Sequence, residues 1–265
     1  MSAFVSRLLV AAVAVPVVLG FVWLGGWWLV GLAGLGALFA LHEFWLLVKP
    51  LRPLALAGYG ALIAILLGAR LGGPVWMLGG FLSVFALAFA FQGIARTRAP
   101  ATVAIGSTVL GTAWVGLGLG SLLLLRQLPA HGRLAVFALL LAVWADSSLA
   151  YFAGRLIGRH KLAPVLSPGK TWEGFVAGVA AAIFVTFVAL YHTGFVDGWR
   201  SVVLGVVIAL AEPAGDLFES MLKRDMQVKD TGRLLAGHGG MLDRLDSLLF
   251  AAPAAYWVIV AFGGG

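Results

Sequence analysis

Three acidic side chains, Glu212, Asp216 and Glu219, follow one another at steps of four and three residues, and Ser220 and Lys223 extend the series. On a helix these steps fall on one face. The surrounding stretch is apolar, and an Asp near the middle of a bilayer-spanning helix costs about 2.5–3.5 kcal/mol on insertion scales. A row of acids in that setting requires a cation or a water-filled cleft. The purely structural alternative is salt bridging to neighbouring Lys and Arg. Pro213 has no N–H, so a kink is expected there, with a freed carbonyl turned toward the cavity.

The stretch from Ser220 to Asp246, SMLKRDMQVKDTGRLLAGHGGMLDRLD, concentrates acidic and basic residues that are scarce elsewhere in the chain. His238, Gly239 and Gly240 give a backbone with little Cβ obstruction, able to approach phosphate oxygens. Asp243 and Asp246 stand three apart at the start of the last apolar run, with Arg244 between them. Carboxylates from two separate segments, Asp216 and Asp243, suit Mg²⁺, which prefers hard oxygen ligands. Lys223, Arg224, Lys229 and Arg244 supply charge to neutralise phosphoryl oxygens. A solvated loop obeying topogenic rules explains those cations equally well, but not the glycines or the buried acids.

A third element is Ser167-Pro168-Gly169-Lys170-Thr171-Trp172-Glu173-Gly174. Ser as N-cap with Pro at the first helical position predicts a helix start at Ser167. Its open N–H groups, with Lys170 and Thr171 beside them, form a seat for an anion. The GKT triplet is not a Walker loop, because Pro164 occupies the position of the required glycine. Asp146, followed by Ser147 and Ser148 with Tyr151 one turn on, is an intramembrane acid and a candidate by default. His42 and Glu43, near the inner end of an apolar run, read more simply as an interfacial polar pair.

The elements that position these residues follow from composition. The chain has 265 residues, 62% of them apolar and 11% charged, and a mean hydropathy of +1.02. These values exclude an ordinary soluble domain. The apolar runs are continuous rather than alternating, which excludes a transmembrane β-barrel. The absence of Cys excludes disulfides, thiolate metal sites and thiol nucleophiles. The fold class expected is all-α, a polytopic integral membrane protein of about nine helices: 8–24, 27–48, 54–69, 74–92, 102–125, 134–153, 173–192, 201–222 and 247–262. The first run lacks a convincing cleavage site and is expected to remain as an uncleaved helix.

With the amino terminus inside, fourteen Lys and Arg fall on the cytoplasmic side and four, Arg70, Arg126, Arg133 and Arg200, on the other. That bias orients the chain and puts loops 154–172 and 220–247 in the cytoplasm. The net charge of +7 reflects topogenic charge and anionic lipid or nucleotide rather than nucleic acid. Residues 1–130 form an amino-terminal set of helices poor in chemistry. Residues 131–265 form the catalytic region.

On these residues the chain resembles the phosphatidate cytidylyltransferase, or CDP-diacylglycerol synthase, family. The resemblance rests on Ser220, Leu222, Lys223, Arg224, Lys229, Asp230, Gly232, Leu235, His238, Gly239, Gly240, Met241, Asp243, Arg244, Leu245 and Asp246. Ala236 stands where the pattern has Pro or Gly. Upstream, Asp146-Ser147, Tyr151, Gly154, KLAP at 161–164 and SPGKTWEG at 167–174 are also similar. The resemblance implies a nucleotidyltransferase that joins CTP and phosphatidate to give CDP-diacylglycerol and pyrophosphate. It also implies Mg²⁺ on Asp216 and Asp243, with a second cation as an option, and a homodimer in the bacterial inner membrane.

The roles expected are catalysis by Asp216, Asp243, Lys223 and Arg244. Substrate binding falls to Ser167, Lys170, Thr171, Ser220, Arg224, Lys229, Asp230, His238, Gly239 and Gly240. Asp146, Glu219 and Asp246 are secondary candidates for metal, water or cation positioning. Two rival functions remain open on the residues alone. A cation-coupled transporter also places acids mid-membrane, but no internal repeat is visible. Another CTP-dependent lipid phosphotransferase is the second rival. The D-G-x2-A-R core of the CDP-alcohol transferases is absent, since Asp197-Gly198 lacks the rest.

Overall fold

The computed structural model describes residues 3–94, 100–228, 231 and 240–263, with side chains from residue 12 onward. The chain is an all-α polytopic membrane protein. Seven of its described helices are long and apolar enough to cross a bilayer. The expected runs 54–69 and 74–92 lie on either side of a kink within α3 (Ala55–Ile94), and α1 (Ala3–Leu24) contributes a shorter apolar stretch, Ala12–Leu24.

At 40 residues, α3 would measure about 60 Å if straight, twice a hydrocarbon core of about 30 Å. It is not straight. Gly73 adopts φ +69° and ψ −155°, a conformation open to glycine and strained for other residues, and Pro74 follows it. The chain reverses there into two antiparallel arms. A Cβ on Gly68 would strike the Trp76 backbone, and one on Gly80 would strike the Ala64 backbone. Small residues thus let the arms touch main chain to main chain, the usual means of helix association in lipid.

The chain divides into two compact units, one comprising Met1–Leu124 with Met226–Leu245 and the other Leu125–Asp225 with Asp246–Gly265. In the first, α2 (Gly26–Leu47) packs on α1, α3 and α4 (Ala101–Thr112). Its carboxyl-terminal end inserts Phe44 and Trp45 where Gly111 and Gly58 leave room for the rings. A π-helical turn, Ala113–Leu117, joins α4 to α5 (Gly118–Arg126). Buried Thr108 donates to Ala104 O and accepts the Leu54 N–H, at 2.7 and 2.8 Å.

In the second unit, α7 (Trp172–Leu190) packs against both α6 (Gly132–Leu156) and α8 (Trp199–Asp225). The α6–α7 crossing is lined by Gly154, Gly174 and Gly178, where any Cβ would meet the facing helix. A β-hairpin, β1 (Lys161–Ala163) and β2 (Ser167–Thr171), precedes α7. This corrects the helix start expected at Ser167. The helix begins at Trp172, and its N-cap is Thr171, whose Oγ1 accepts the Gly174 N–H at 3.2 Å. Pro168 fixes φ near a value that a strand edge also accepts, so the Ser-Pro signal is equally compatible with either state. α8 runs unbroken through Pro213. α9 (Leu242–Ala261) starts in the first unit and continues in the second.

Candidate functional site

In the second unit the acidic face of α8 meets polar groups from three other elements. Lys170 Nζ on β2 lies 2.8 Å from Asp216 Oδ2, with about a fifth and a third of the two side chains exposed. The hairpin carrying Lys170 is clamped at its base. Trp172 N–H donates to His160 O at 2.9 Å, and the His160 ring and backbone N–H contact the Glu173 carboxylate. Lys170 therefore reaches Asp216 from an anchored strand.

One turn on either side of Asp216 the same face continues. Ser220 Oγ donates to Asp216 Oδ1 at 3.4 Å, and Lys223 Nζ lies 3.2 Å from Glu219 Oε2. Glu212 Oε1 accepts hydrogen bonds from Ser147 Oγ on α6 and from Ser247 Oγ on α9. Asp246 on α9 is buried near Asp216 and Glu212, and its Oδ1 accepts the Ser247 N–H at 2.6 Å. The approach of α9 is permitted by Gly215, where a Cβ would collide with the Asp246 carbonyl.

Asp146 on α6 is 2% exposed, feels the charges of Glu212 and Lys170, and has no hydrogen-bond partner for Oδ2. It is admitted by Gly178, whose Cβ would fall on Asp146 Oδ1. Tyr151, by contrast, is exposed and takes a hydrogen bond from Arg155 at 2.8 Å. Ser167 is half-buried on β2, Thr171 is buried as the α7 cap, and Arg224 is exposed.

The first unit holds a separate group. Gly240 N–H donates to Asp243 Oδ2 at 2.7 Å, which ties the residue before the N-cap of α9 to its first turn. Leu242 N–H donates to Glu43 Oε2 at 2.8 Å. Glu43, near the end of α2, is fully buried and bonded to this amide, a contact the sequence did not suggest. Its neighbour His42 is paired through Nδ1 with the Tyr59 hydroxyl at 2.9 Å. Arg244 is exposed. Lys229, Asp230, His238 and Gly239, with Ala236, lie outside the described residues.

Glu43, Gly178 and Ser247 are the residues that sequence reasoning left without a role in the site or placed elsewhere, whereas Glu212 belongs to the acidic face it singled out. For Glu43 the missed signal was an acid inside a long apolar run, which marks a candidate wherever it sits.

The model of the cytidylyltransferase family matches residues 5–262. The chain belongs to that family. It is 33% identical over 253 residues to phosphatidate cytidylyltransferase of Staphylococcus haemolyticus, covering 93% of this chain and 95% of that protein. It is 42% identical over 130 residues to phosphatidate cytidylyltransferase of Haemophilus influenzae, 47% of this chain and 45% of that one. Over 158 residues it is 39% identical to the Mycobacterium bovis phosphatidate cytidylyltransferase, 59% of this chain and 50% of that protein. The last two alignments thus span about half of those relatives.

As a cytidylyltransferase the protein is an enzyme of nucleotidyl transfer, and its donor set can be tested against the metal the resemblance implies. Among the described residues no three carboxylate or imidazole groups meet at one point. Mg²⁺ does not require them, because it is commonly held by one or two carboxylates plus substrate phosphates and waters. The all-oxygen donors of the acidic face and the buried Asp146 Oδ2 without a hydrogen-bond partner suit such a cation. The residues fit.

Proposed function

We propose that this cytidylyltransferase transfers CMP from CTP to phosphatidate, forming CDP-diacylglycerol and pyrophosphate, at the cytoplasmic face of a bacterial inner membrane. The observation that carries the reading is the Lys170–Asp216 pair. It places a cation and a partly open carboxylate together in the middle of an acidic helix face. The named relatives support the lipid substrate, and the positive-inside bias supports the face.

A phosphatidate phosphate oxygen attacks the α-phosphorus of CTP; the new P–O bond forms as the α–β bridging bond breaks. The bonding electrons leave with pyrophosphate. The nucleophile is already anionic near neutral pH, so no strong general base is needed, and catalysis is mainly positioning and charge neutralisation. Asp216 and Asp243 are the residues that would hold Mg²⁺. When bound, that ion supplies charge neutralisation to the reacting phosphoryl oxygens. Lys170, Lys223, Arg224, Lys229 and Arg244 hold triphosphate or lipid phosphate. Ser167, Thr171, Ser220, Asp230 and the His238-Gly239-Gly240 segment complete the substrate contacts. Asp146, Glu219 and Asp246 position the cations and water around them.

The experiment is incubation of the purified protein in detergent with phosphatidate and CTP labelled at the α- or the γ-phosphorus. Mg²⁺-dependent appearance of α-label in a lipid with the mass of CDP-diacylglycerol is expected. γ-Label in lipid would indicate a CTP-dependent kinase, and no label in lipid would end the proposal. The homodimer implied by the resemblance is tested by light scattering of the same preparation.

A further inference from the structure

We infer that Glu43 is a positioning residue, one that fixes the turn from Gly240 to Asp243 and so the direction from which Asp243 acts. The inference rests on the role proposed above for Asp243. Glu43 is 199 residues away in sequence, yet its Oε2 accepts the Leu242 N–H at 2.8 Å. That N–H is the first of α9, one of the groups a helix leaves unsatisfied at its start, and the positive end of the helix dipole favours an anion there.

The turn is built around this contact. A Cβ on Gly240 would run into Glu43 Oε2 and crowd Thr231 Oγ1, so a side chain there would push the carboxylate aside. With the glycine in place, Gly240 N–H turns to Asp243 Oδ2 at 2.7 Å. Two carboxylates therefore hold the same four residues from opposite sides, Glu43 through Leu242 and Asp243 through Gly240.

Packing alone does not account for Glu43. It is flanked on α2 by buried Leu41, Phe44 and Trp45 and is itself 0% exposed, a place where Leu or Met would fill the space without burying a charge. Its Oε1 and the Thr231 hydroxyl have no hydrogen-bond partner among the described residues. The group the carboxylate does serve is the amide that opens the helix of Asp243.

The test uses the full chain in detergent, with Glu43→Ala, Glu43→Gln and Gly240→Ala. Hydrogen exchange and the Mg²⁺ dependence of CMP transfer are both read. Glu43→Ala should speed exchange of the 240–245 segment about tenfold, the scale of one lost charge-assisted hydrogen bond. Exchange in α6 and α7 should stay unchanged. Half-saturating Mg²⁺ should rise by a similar factor, while the KM for phosphatidate stays within about twofold of wild type. Glu43→Gln keeps an acceptor oxygen and should recover most of both readouts. Gly240→Ala displaces the carboxylate and should speed exchange of the 240–245 segment by a similar factor, which keeps the test alive if Glu43→Ala does not fold. Wild-type exchange at 240–245 in either displaced variant, or Glu43→Gln as impaired as Glu43→Ala, overturns the inference. If the wild-type protein makes no CDP-diacylglycerol, the functional reading fails, and the exchange arm still decides the role of Glu43.

Discussion

Lys170 and Asp216 are 46 positions apart and meet at 2.8 Å, a strand residue reaching the acidic face of α8. Both remain partly exposed, so the pair is open to a ligand rather than sealed as a packing salt bridge. Asp216→Asn should lower CMP transfer by about 100-fold or more, as expected for loss of a preorganised electrostatic group. The thermal midpoint in detergent should change little, because the side chain is not deeply buried. Initial rates and a melting curve on the same preparation check both halves.

Lys170→Met should reduce kcat/KM for CTP about 100-fold. Lys170→Arg should recover only part of it, since a planar fork does not replace a compact ammonium at the same distance. The hairpin should persist in both variants, because its base is held by the Trp172–His160 and His160–Glu173 contacts rather than by Lys170. Equal rates for the two variants would count against a point-charge role.

Gly178 is an opening for a carboxylate: its Cβ would fall on Asp146 Oδ1. Gly178→Ala should destabilise the protein by about 1–3 kcal/mol, the usual effect of overpacking a tight contact. It should also depress activity by moving Asp146. A thermal midpoint equal to wild type would show that α6 and α7 can separate without cost.

The Gly68 and Gly80 contacts with the facing arm of α3 give a control remote in sequence from the proposed chemistry. Gly80→Val should lower the thermal midpoint by forcing two backbones apart. The Mg²⁺ concentration for half-maximal rate should stay at the wild-type value. A shifted Mg²⁺ requirement would mean that this hairpin shapes the site.

Thr171 caps α7 through its Oγ1. Thr171→Val should cost about 1 kcal/mol of stability and Thr171→Ser little, as for other N-caps. Thermal melts of the two variants, side by side, measure the difference.

The membrane class and the acidic face of α8 were legible because both depend on local pattern: long apolar runs, and acids at steps of four and three. The two arms of α3 were also legible, since Gly73-Pro74 punctuates the run. The β-hairpin was not. Pro168 suits a helix start and a strand edge alike, and only the pairing of Lys161 with Thr171 selects the strand. The contact of Glu43 was not legible because its partner is a backbone amide 199 residues on, which no periodicity reveals. Gly178 looked like one more small residue in an apolar helix. Its meaning comes from Asp146 on another element.

The most direct measurement is a Mn²⁺ titration of the CTP-loaded protein by electron paramagnetic resonance, with Mn²⁺ standing in for Mg²⁺. Wild type, Asp216→Asn and Asp243→Asn are compared. If one ion draws on carboxylates from both stretches, each single variant should bind about tenfold or more weaker than wild type, since each removes one of very few protein ligands. Wild-type affinity in either variant would contradict a shared cation.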